Sequence, residues 1–516
     1  MTIVQRKHIV AYCLQLWGHL RPLITLCARL VQLRPHVYVT FLCSTSVFER
    51  VCKELARCFD DGAPTAEEAQ RMRVIAIGDV AAASSPNAVK VFTDVWQALL
   101  REEDLTCQQT GTQYGAMPKP LAAVIDFMAI PVYEAMRSLK GDKVKIFAWV
   151  PAMQSPWFHF HGPRTRGGLG NVRAQVEDEV RRTGRTYEEI ALEIGRRGSG
   201  KVIKVPGLPM MHDYENNPQD YPVPSSFYVD VFPKIHEAME MMDGLLMASS
   251  TSYEPEAVAE TKAWMRSIGR FAYVTGPLLP STSRKVSAKF EKRQSLKPDR
   301  IQTFLDETLV ADGERSLLYI SFGSLYWPSS APEKLWAFID VVMERKIPFI
   351  LGHASPLASI PNEARDKIEA YGKALLCPWT PQQLILNHPA TGWLLYHGGM
   401  SGVLEAISAG IPLILWPAFA DQEANAIMLS EKHRVGYELL EVRTGMGLRP
   451  ICRTGYVPVG TVEAVRREAR DVLARAFGAD GARKRKRMGV LRRAVMGEWD
   501  AEGESRRDVC AFLDSL

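Results

Sequence analysis

Short apolar runs alternate with segments of helical periodicity along the first 150 residues. Residues 8–14 are mostly apolar, Val37–Cys43 is rich in β-branched and aromatic residues, and Pro22 opens a helical pattern over residues 23–33 between them. A strand, a helix and a second strand within about 35 residues form a βαβ unit, the building block of a parallel sheet. Further strands of this domain are predicted at residues 72–77, 122–125 and 145–150.

A second series of strands follows a segment of different composition. Residues 276–300 are rich in Pro, Ser and Lys and lack periodicity, which is typical of a linker. The pattern then predicts strands at residues 317–322, 348–351, 374–377, 392–396 and 413–416. The chain is therefore predicted to be an α/β protein with two parallel-sheet domains. We expect a first domain over 1–280, a linker over 281–313 and a second domain over 314–495.

Residues 160–200 interrupt the first domain. They are Gly- and Arg-rich and then strongly charged, and we interpret them as an insertion with helical structure around residues 172–194. A second charged segment, residues 482–493, has the sequence ARKRKRMGVLRR. A solvated helix face is the simpler interpretation of this basic run. Weak contact with phosphate groups or a membrane surface is the alternative.

Composition excludes several classes of protein. Among 516 residues, 47% are hydrophobic and 23% charged, as in ordinary globular proteins. The net charge of +5 argues against a nucleic-acid-binding protein. No apolar run approaches the roughly 20 residues that cross a bilayer, and the amino terminus lacks a signal-peptide cleavage site. Nine scattered cysteines without a CxxC pair indicate reduced thiols, so we expect a cytoplasmic protein without a metal site.

Candidate binding chemistry is concentrated in residues 379–422, WTPQQLILNHPATGWLLYHGGMSGVLEAISAGIPLILWPAFADQ. A Gly-rich turn at 397–402 leads from a predicted strand into a predicted helix, and backbone N–H groups at a helix start bind phosphate. Glu405 lies one turn into that helix, where its carboxylate can accept hydrogen bonds from a sugar diol. Asp421 and Gln422 follow the next strand, at the sheet edge where ligands bind. These residues indicate a nucleotide or phosphosugar site.

This segment resembles the donor-binding box of the family 1 UDP-glycosyltransferases, especially those acting on plant natural products. The match is gapless over 44 residues and includes the initial Trp, the PQ pair, the HxG loop, the LE pair and the final DQ. WGHLRP at 17–22, VPGLP at 205–209, VTGPL at 274–278 and LLYISFGS at 317–324 follow the order of the family. Residues 160–200 fit poorly.

The resemblance implies the GT-B fold, in which two Rossmann-like domains face a cleft. Residues 496–516 would form a helix that crosses back to the first domain. The second domain would bind a UDP-sugar as a substrate, with no metal or other cofactor, and Gln422 favours glucose by analogy. The donor-binding residues implied by the match are Ser324, Trp379, Thr380, Gln382, His397, Gly399, Met400, Ser401, Gly402, Glu405, Asp421 and Gln422.

The box departs from the plant type in its phosphate loop. Met400, Ser401 and Gly402 stand where the plant type has Trp-Asn-Ser, and the HGG sequence is closer to the animal type. Without the Trp, one wall of the sugar pocket changes. Because Gly402 has no hydroxyl, a phosphate contact there must come from its N–H group or from Ser401.

The catalytic chemistry implied by the family falls on His19 and Asp126. His19 follows the first strand within a GHxxP motif, and an imidazole can accept a proton from an acceptor hydroxyl near neutral pH. Asp126 follows another strand and would accept the other ring N–H of His19. Attack from the face opposite UDP would invert the anomeric carbon.

The acceptor is predicted only as a small apolar or aromatic hydroxyl compound. Trp157 and Phe158 follow a strand of the first domain and would line an aromatic acceptor pocket, with ordinary core packing as the alternative. Two other functions stay open: a non-catalytic nucleotide-sugar binder, which would not need His19 and Asp126, and a membrane-surface transferase acting on sterol-like lipids.

Overall fold

The chain forms two compact units. A computed structural model describes residues 6–59, 63–79, 86–139, 144–196, 198–280 and 298–516. The first unit comprises Met1–Gly195, Ser225–Val286 and Gly497–Leu516, and the second comprises Arg196–Pro224 and Ser287–Met496. Residues 196–224 thus group with the second unit although they precede the end of the first in sequence.

A seven-stranded parallel sheet is the centre of the first unit. Its strands in chain order are β1 Lys7–Tyr12, β2 Val37–Cys43, β3 Met72–Ala76, β4 Ala122–Asp126, β5 Lys145–Val150, β6 Gly244–Met247 and β7 Phe271–Val274. Across the sheet the order is β7-β6-β5-β4-β1-β2-β3, and each neighbouring pair is parallel.

The second unit repeats this arrangement with six parallel strands. They are β8 Leu317–Ser321, β9 Phe349–Gly352, β10 Ala374–Cys377, β11 Thr391–Tyr396, β12 Leu413–Leu415 and β13 Gly436–Glu438. Their order is β10-β9-β8-β11-β12-β13. Counted within its own unit, each sheet has the order 3-2-1-4-5-6 of a Rossmann-like fold, with one additional strand in the first unit.

Helices connect these strands. Those of the first unit are Trp17–Leu33, Phe48–Ala56, Ala66–Arg71, Pro86–Leu100, Ile130–Ser138, Gln154–His161, Val172–Thr183, Tyr187–Arg196, Ile235–Met241, Pro255–Ser267 and Glu504–Asp514. Those of the second are Pro298–Asp312, Pro332–Glu344, Asn362–Tyr371, Gln382–Asn387, Met400–Ala409, Gln422–Ile427, Val462–Ala476 and Ala479–Gly497. Two-stranded antiparallel ribbons pair Leu105–Thr106 with Gln113–Tyr114 and Val202–Ile203 with Met211–His212.

Hydrophobic cores cover both faces of the first sheet. Along β1, Val10 and Tyr12 belong to one buried cluster, whereas Ile9 and Ala11 belong to another. The second cluster includes Phe512 of the terminal helix, whose ring meets that of Phe147 edge to face at 4.9 Å. Burial on both faces explains why the strands are mostly apolar and do not alternate regularly with polar residues.

The structure confirms the α/β class and most predicted strands, and it differs at two helices. The first helix begins at Trp17, one turn before Pro22, because the Leu16 carbonyl accepts the N–H groups of His19 and Leu20, each at 2.9 Å. His19 is therefore the third residue of a helix and not part of a loop before it.

The predicted linker over 281–313 also contains a helix. Residues 281–297 lie outside the described residues, but Pro298–Asp312 is helical. Ile301 and Leu305, four positions apart, are 1% and 0% exposed. A buried pair at this spacing is the apolar stripe of a helix that packs on its neighbours, and it lies next to the Ser- and Lys-rich composition that indicated a linker.

The basic run lies on the long helix Ala479–Gly497. Its buried positions include Lys484, Met488, Leu491 and Val495, which are spaced by three or four residues, and the opposite face exposes Arg483, Lys486, Arg487, Val490, Arg493 and Ala494. One face of the helix is therefore buried and the other exposed, and charged and apolar residues occur on both. Within the described parts of the chain, no helix combines the length and apolar character that crossing a membrane would need.

A buried carboxyl group organises the helix that carries Trp157. Glu254 accepts hydrogen bonds from the backbone N–H groups of Gln154 (2.7 Å) and Ser155 (2.9 Å), the first residues of helix Gln154–His161. Ser155 and Ser249 donate their hydroxyls to it as well. Burial raises the pKa of Glu254 to about 7, although these four donors oppose the shift.

We predict that Glu254 makes folding stability fall as the pH rises. Below the pKa of about 4.5 that the group has when unfolded, both states are protonated, and above it only the unfolded state ionises until the pH passes 7. The free energy of unfolding should therefore fall by up to about 3 kcal/mol between pH 5 and 8. Urea unfolding of the wild type and Glu254→Gln at pH 5, 6, 7 and 8 measures this. The free energy of unfolding of Glu254→Gln should lack this fall between pH 5 and 8. If the profiles of the variant and the wild type are parallel, Glu254 is not the group responsible.

Candidate functional site

Strand order selects the same location in each unit. In a 3-2-1-4-5-6 sheet the first and fourth strands are neighbours, and the chains leaving their carboxyl ends run to opposite sides, which opens a crevice for ligands. In the first unit these strands are β1 and β4, followed by His19 and ending at Asp126. In the second unit they are β8 and β11, followed by Ser324 and His397.

The structure brings His19 and Asp126 together in the first unit. His19 Nδ1 lies 2.8 Å from Asp126 Oδ2, and the Asp126 side chain is completely buried whereas that of His19 is 19% exposed. Backbone contacts hold both residues, since Met128 N–H donates to Asp126 Oδ1 at 3.0 Å and the Trp149 indole donates to the His19 carbonyl at 3.0 Å. In the tautomer that donates Nδ1–H to the carboxylate, Nε2 of His19 keeps its lone pair.

Cys13 is a third member of this group that the sequence analysis missed. Its thiol donates to Asp126 Oδ2 at 3.0 Å, and burial raises the pKa of Cys13, so the thiol stays protonated. Burial alone would raise the pKa of Asp126, but His19, Cys13 and Met128 N–H more than offset it and lower that pKa. Among the described residues, Cys13, His19 and Asp126 are also the one group of three potential metal ligands within 4.8 Å of each other.

Aromatic rings adjoin the His19–Asp126 pair. Phe127 stacks on His19 with ring centroids 6.0 Å apart, and Trp157 meets Phe127 edge to face at 6.4 Å. Trp157 is 3% exposed, and its indole nitrogen has no hydrogen-bond partner among the described residues. Phe158 is completely buried, and both residues belong to the same buried cluster and pack on Trp264. Of the two predicted acceptor residues, Trp157 is the one whose ring meets Phe127 beside His19.

In the second unit, buried hydrogen bonds hold Glu405 in a fixed orientation. It lies on helix Met400–Ala409 and is 2% exposed. Gln382 donates its amide to one carboxylate oxygen, and Gln383 donates to the other at 3.2 Å. Tyr319 in turn bonds the side chains of Thr380 and Gln382. Trp379 lies half-buried on the same loop, between β10 and helix Gln382–Asn387.

The phosphate-loop residues predicted from the sequence surround an uncapped helix start. Helix Met400–Ala409 begins after Gly399, which provides no side-chain cap, and backbone N–H groups at a helix start can bind an anion. Ser401 is half-buried in the first turn, Met400 is buried, and Gly402 packs on Tyr396, whose hydroxyl would lie 2.2 Å from an added Cβ.

His397 fits into a space that two glycines leave open. A Cβ on Gly323 or Gly399 would lie 2.6 Å or 2.7 Å from its ring. Gly323 has φ +74°, a left-handed conformation that glycine adopts without strain, and Ser324 follows it half-buried. Burial lowers the pKa of His397 to about 3. The imidazole is therefore neutral at neutral pH, so it can offer a ligand an N–H group but not a positive charge.

Asp421 and Gln422 lie at the start of the next helix, Gln422–Ile427. Gln422 is 4% exposed, and its Oε1 accepts the N–H groups of Ala418 (2.9 Å) and Phe419 (3.3 Å). Its amide NH₂ is the end that can donate to a ligand. Asp421 is half-buried. Asn425 joins this helix to the phosphate loop by donating to the Gly398 carbonyl at 2.9 Å.

Comparison with known proteins identifies the family of the chain. A family model described as UDP-glucoronosyl and UDP-glucosyl transferase matches residues 231–444. The chain is 32% identical to UDP-glycosyltransferase eriJ of Hericium erinaceus over 99% of both chains. It is also 32% identical to anthocyanidin 3-O-glucosyltransferase 1 of Fragaria ananassa, over 31% of this chain and 33% of that protein.

Solved structures show the same fold. UGT71G1 of Medicago truncatula, complexed with UDP-glucose, has a TM-score of 0.65 at 16% identity and covers 99% of this chain and 98% of its own. UGT2 of Phytolacca americana, complexed with UDP-2fluoro-glucose and pterostilbene, has a TM-score of 0.64 at 20% identity, with 99% and 100% covered. The predicted GT-B fold class, with two Rossmann-like units, is confirmed. The chain belongs to family 1 of the UDP-glycosyltransferases and is a UDP-sugar-dependent transferase.

Proposed function

We propose that this enzyme transfers glucose from UDP-glucose, with inversion, to a hydroxyl of a small apolar or aromatic compound. The observation that carries the catalytic part is the 2.8 Å contact between His19 Nδ1 and a completely buried Asp126. A carboxylate in this position fixes the imidazole tautomer and stabilises the imidazolium that forms when Nε2 takes a proton. A non-catalytic nucleotide-sugar binder would have no use for this pair.

In this mechanism each bond change has a named partner. Nε2 of His19 accepts the proton of the acceptor hydroxyl while that oxygen bonds to the anomeric carbon of the sugar. The bond from that carbon to the diphosphate breaks, and UDP leaves with the electron pair. Asp126 stays ionised, and its charge offsets that of the new imidazolium. The N–H groups at the start of helix Met400–Ala409 and the neutral His397 stabilise the departing diphosphate.

For the donor, the proposed contacts follow the second unit from base to sugar. Trp379 stacks on uracil and Gln382 lies near the base and ribose. The Glu405 carboxylate accepts hydrogen bonds from the ribose hydroxyls. His397, Ser401, Gly402 and Ser324 hold the diphosphate, and Asp421 with Gln422 holds the sugar hydroxyls. The orientation of Glu405 by two glutamine amides and the donor end of Gln422 support these roles.

The acceptor class rests on the aromatic rings beside His19. Phe127 stacks on the His19 ring and Trp157 meets Phe127 edge to face, so buried aromatic rings border His19 and favour a flat apolar molecule beside it. Two similar proteins agree with this class: anthocyanidin 3-O-glucosyltransferase 1 is named for an aromatic acceptor, and the UGT2 structure contains pterostilbene.

We also infer a reducing, cytoplasmic setting. The nine cysteines, six of them buried, are all free thiols in the structure. Disulfides form readily in oxidising compartments, whereas scattered free thiols are typical of the cytosol.

The catalytic assignment predicts a selective loss of turnover. His19→Ala and Asp126→Ala should each lower the rate of transfer by about 10²- to 10⁴-fold, because the base or its partner is gone. UDP binding should change less than about twofold, since the donor contacts lie in the other unit. Rates come from UDP release with product mass, and affinities come from calorimetry. His36→Ala, a histidine elsewhere in the first unit, is the control, and near-full turnover in His19→Ala would refute the base assignment.

The donor assignment predicts that Glu405 acts on UDP itself. Glu405→Gln keeps the shape of the side chain but removes the carboxylate that accepts hydrogen bonds from the ribose hydroxyls. The Kd for UDP should therefore rise by about 10- to 100-fold. The Kd for UDP-glucose should rise by the same factor, because both ligands contain the ribose. Calorimetric titration with each ligand measures this, with the exposed Glu363→Gln as control. An unchanged Kd for UDP would show that Glu405 does not hold the nucleotide.

A further inference from the structure

A segment from the first half of the chain packs beside the predicted sugar-binding residues. Residues 213–221, which we call the brace, belong to the second unit although they lie between two segments of the first. The brace is joined to the loop after β13 by backbone hydrogen bonds. Thr444 N–H donates to the Pro218 carbonyl at 3.1 Å, and Asp220 N–H donates to the Thr444 hydroxyl at 2.7 Å.

One end of the brace contacts the loop that precedes Asp421. The rings of Tyr221 and Phe419 are stacked almost parallel, with centroids 4.3 Å apart and planes at 8°. Phe419 is one of the two residues whose N–H groups are accepted by Gln422 Oε1. The stack therefore supports the same turn of backbone that orients the Gln422 amide.

The other end of the brace reaches the residue after Gln422 through buried charges. Glu215 is 1% exposed and lies 3.3 Å from Arg453. Arg453 lies 3.7 Å from Glu423, and Arg443, completely buried, pairs with Glu423 at 2.5 Å. Glu438 pairs with both arginines. Buried charges of this kind hold a fixed geometry, because the loss of one partner leaves an uncompensated charge.

We propose that the brace positions Asp421 and Gln422 and thereby determines which donor sugar the enzyme accepts, with Tyr221 and Glu215 as its positioning residues. Neither residue needs to touch the donor. Tyr221 supports the loop on the amino-terminal side of Asp421–Gln422, and Glu215 supports the helix on the carboxyl-terminal side. A sugar differing at one hydroxyl is rejected only if the groups that bind hydroxyls are held in place. The inference rests on the proposed role of Asp421 and Gln422.

The test compares the binding of UDP, UDP-glucose and its 4-epimer UDP-galactose by calorimetry, which needs no acceptor. Tyr221→Ala should raise the Kd for UDP-glucose by about three- to tenfold, which corresponds to the loss of one aromatic stack. It should reduce the preference for UDP-glucose over UDP-galactose by a similar factor and change the Kd for UDP by less than about twofold. Tyr221→Phe keeps the ring and should behave as the wild type.

Controls separate positioning from general loss of structure. Tyr371→Ala removes another half-buried tyrosine of the second unit, which stacks on Phe349, and should leave the sugar preference unchanged. Phe419→Leu breaks the same stack from the other side, so it serves if Tyr221→Ala does not fold. If Tyr221→Ala and Phe419→Leu weaken the binding of UDP and UDP-glucose equally, or leave the sugar preference unchanged, the proposal is overturned.

Gln422→Ala distinguishes this inference from the proposed function. If Gln422→Ala removes the preference and Tyr221→Ala does not, only the positioning role is wrong. If Gln422→Ala leaves the binding of all three ligands unchanged, the sugar-binding role of Gln422 is wrong, and the brace proposal is overturned with it.

Discussion

The order of the parallel strands is the constraint on which both candidate sites depend. In each unit the first strand lies beside the fourth, and the chains that leave their carboxyl ends diverge to cover opposite faces of the sheet. In a sheet of this order no connecting segment covers the carboxyl ends of these two strands, so a crevice opens there. The first unit uses this edge for His19 and Asp126, and the second uses it for Ser324 and the phosphate loop. A single topological rule thus accounts for the location of chemistry that differs completely between the two units.

Electrostatics then gives each site its character. Asp126 is buried, yet three donors keep it ionised, so it can stabilise a positive charge on His19. His397 is also desolvated but has no such partner among the described residues, so it stays neutral. One histidine is therefore suited to accept a proton and the other to donate a hydrogen bond to an anion. Partner groups, and not residue type, make this difference.

The sequence predicted those features that depend on local pattern. Apolar runs located the strands, and the resemblance of residues 379–422 to the family's donor-binding box identified the family. The helical turn before Pro22 was missed because a backbone acceptor, the Leu16 carbonyl, determines it and not a side-chain preference. The helix Pro298–Asp312 was missed because the adjoining Ser- and Lys-rich residues dominated the composition of that segment.

Features that depend on contacts distant in sequence could not be predicted in this way. Cys13 meets Asp126 across 113 positions, and Tyr221 meets Phe419 across about 200, so no spacing rule connects them. Gln383, which contacts Glu405 but was not predicted, is a different case. It adjoins Gln382 in the box, so the sequence could have indicated it. Residues 196–224 show the same limit on a larger scale, because their neighbours in space and in sequence belong to different units.

We infer that an acceptor hydroxyl, deprotonated by His19, displaces UDP in a single step. The configuration of the product distinguishes this displacement from the alternatives. The protein is supplied with UDP-glucose, in which glucose is α-linked, and a panel of aromatic alcohols, and the anomeric proton of the purified product is examined by NMR. We expect the addition of one hexose with β configuration. An α-linked product would mean an even number of displacements or a different mechanism, and would contradict direct attack assisted by a single base.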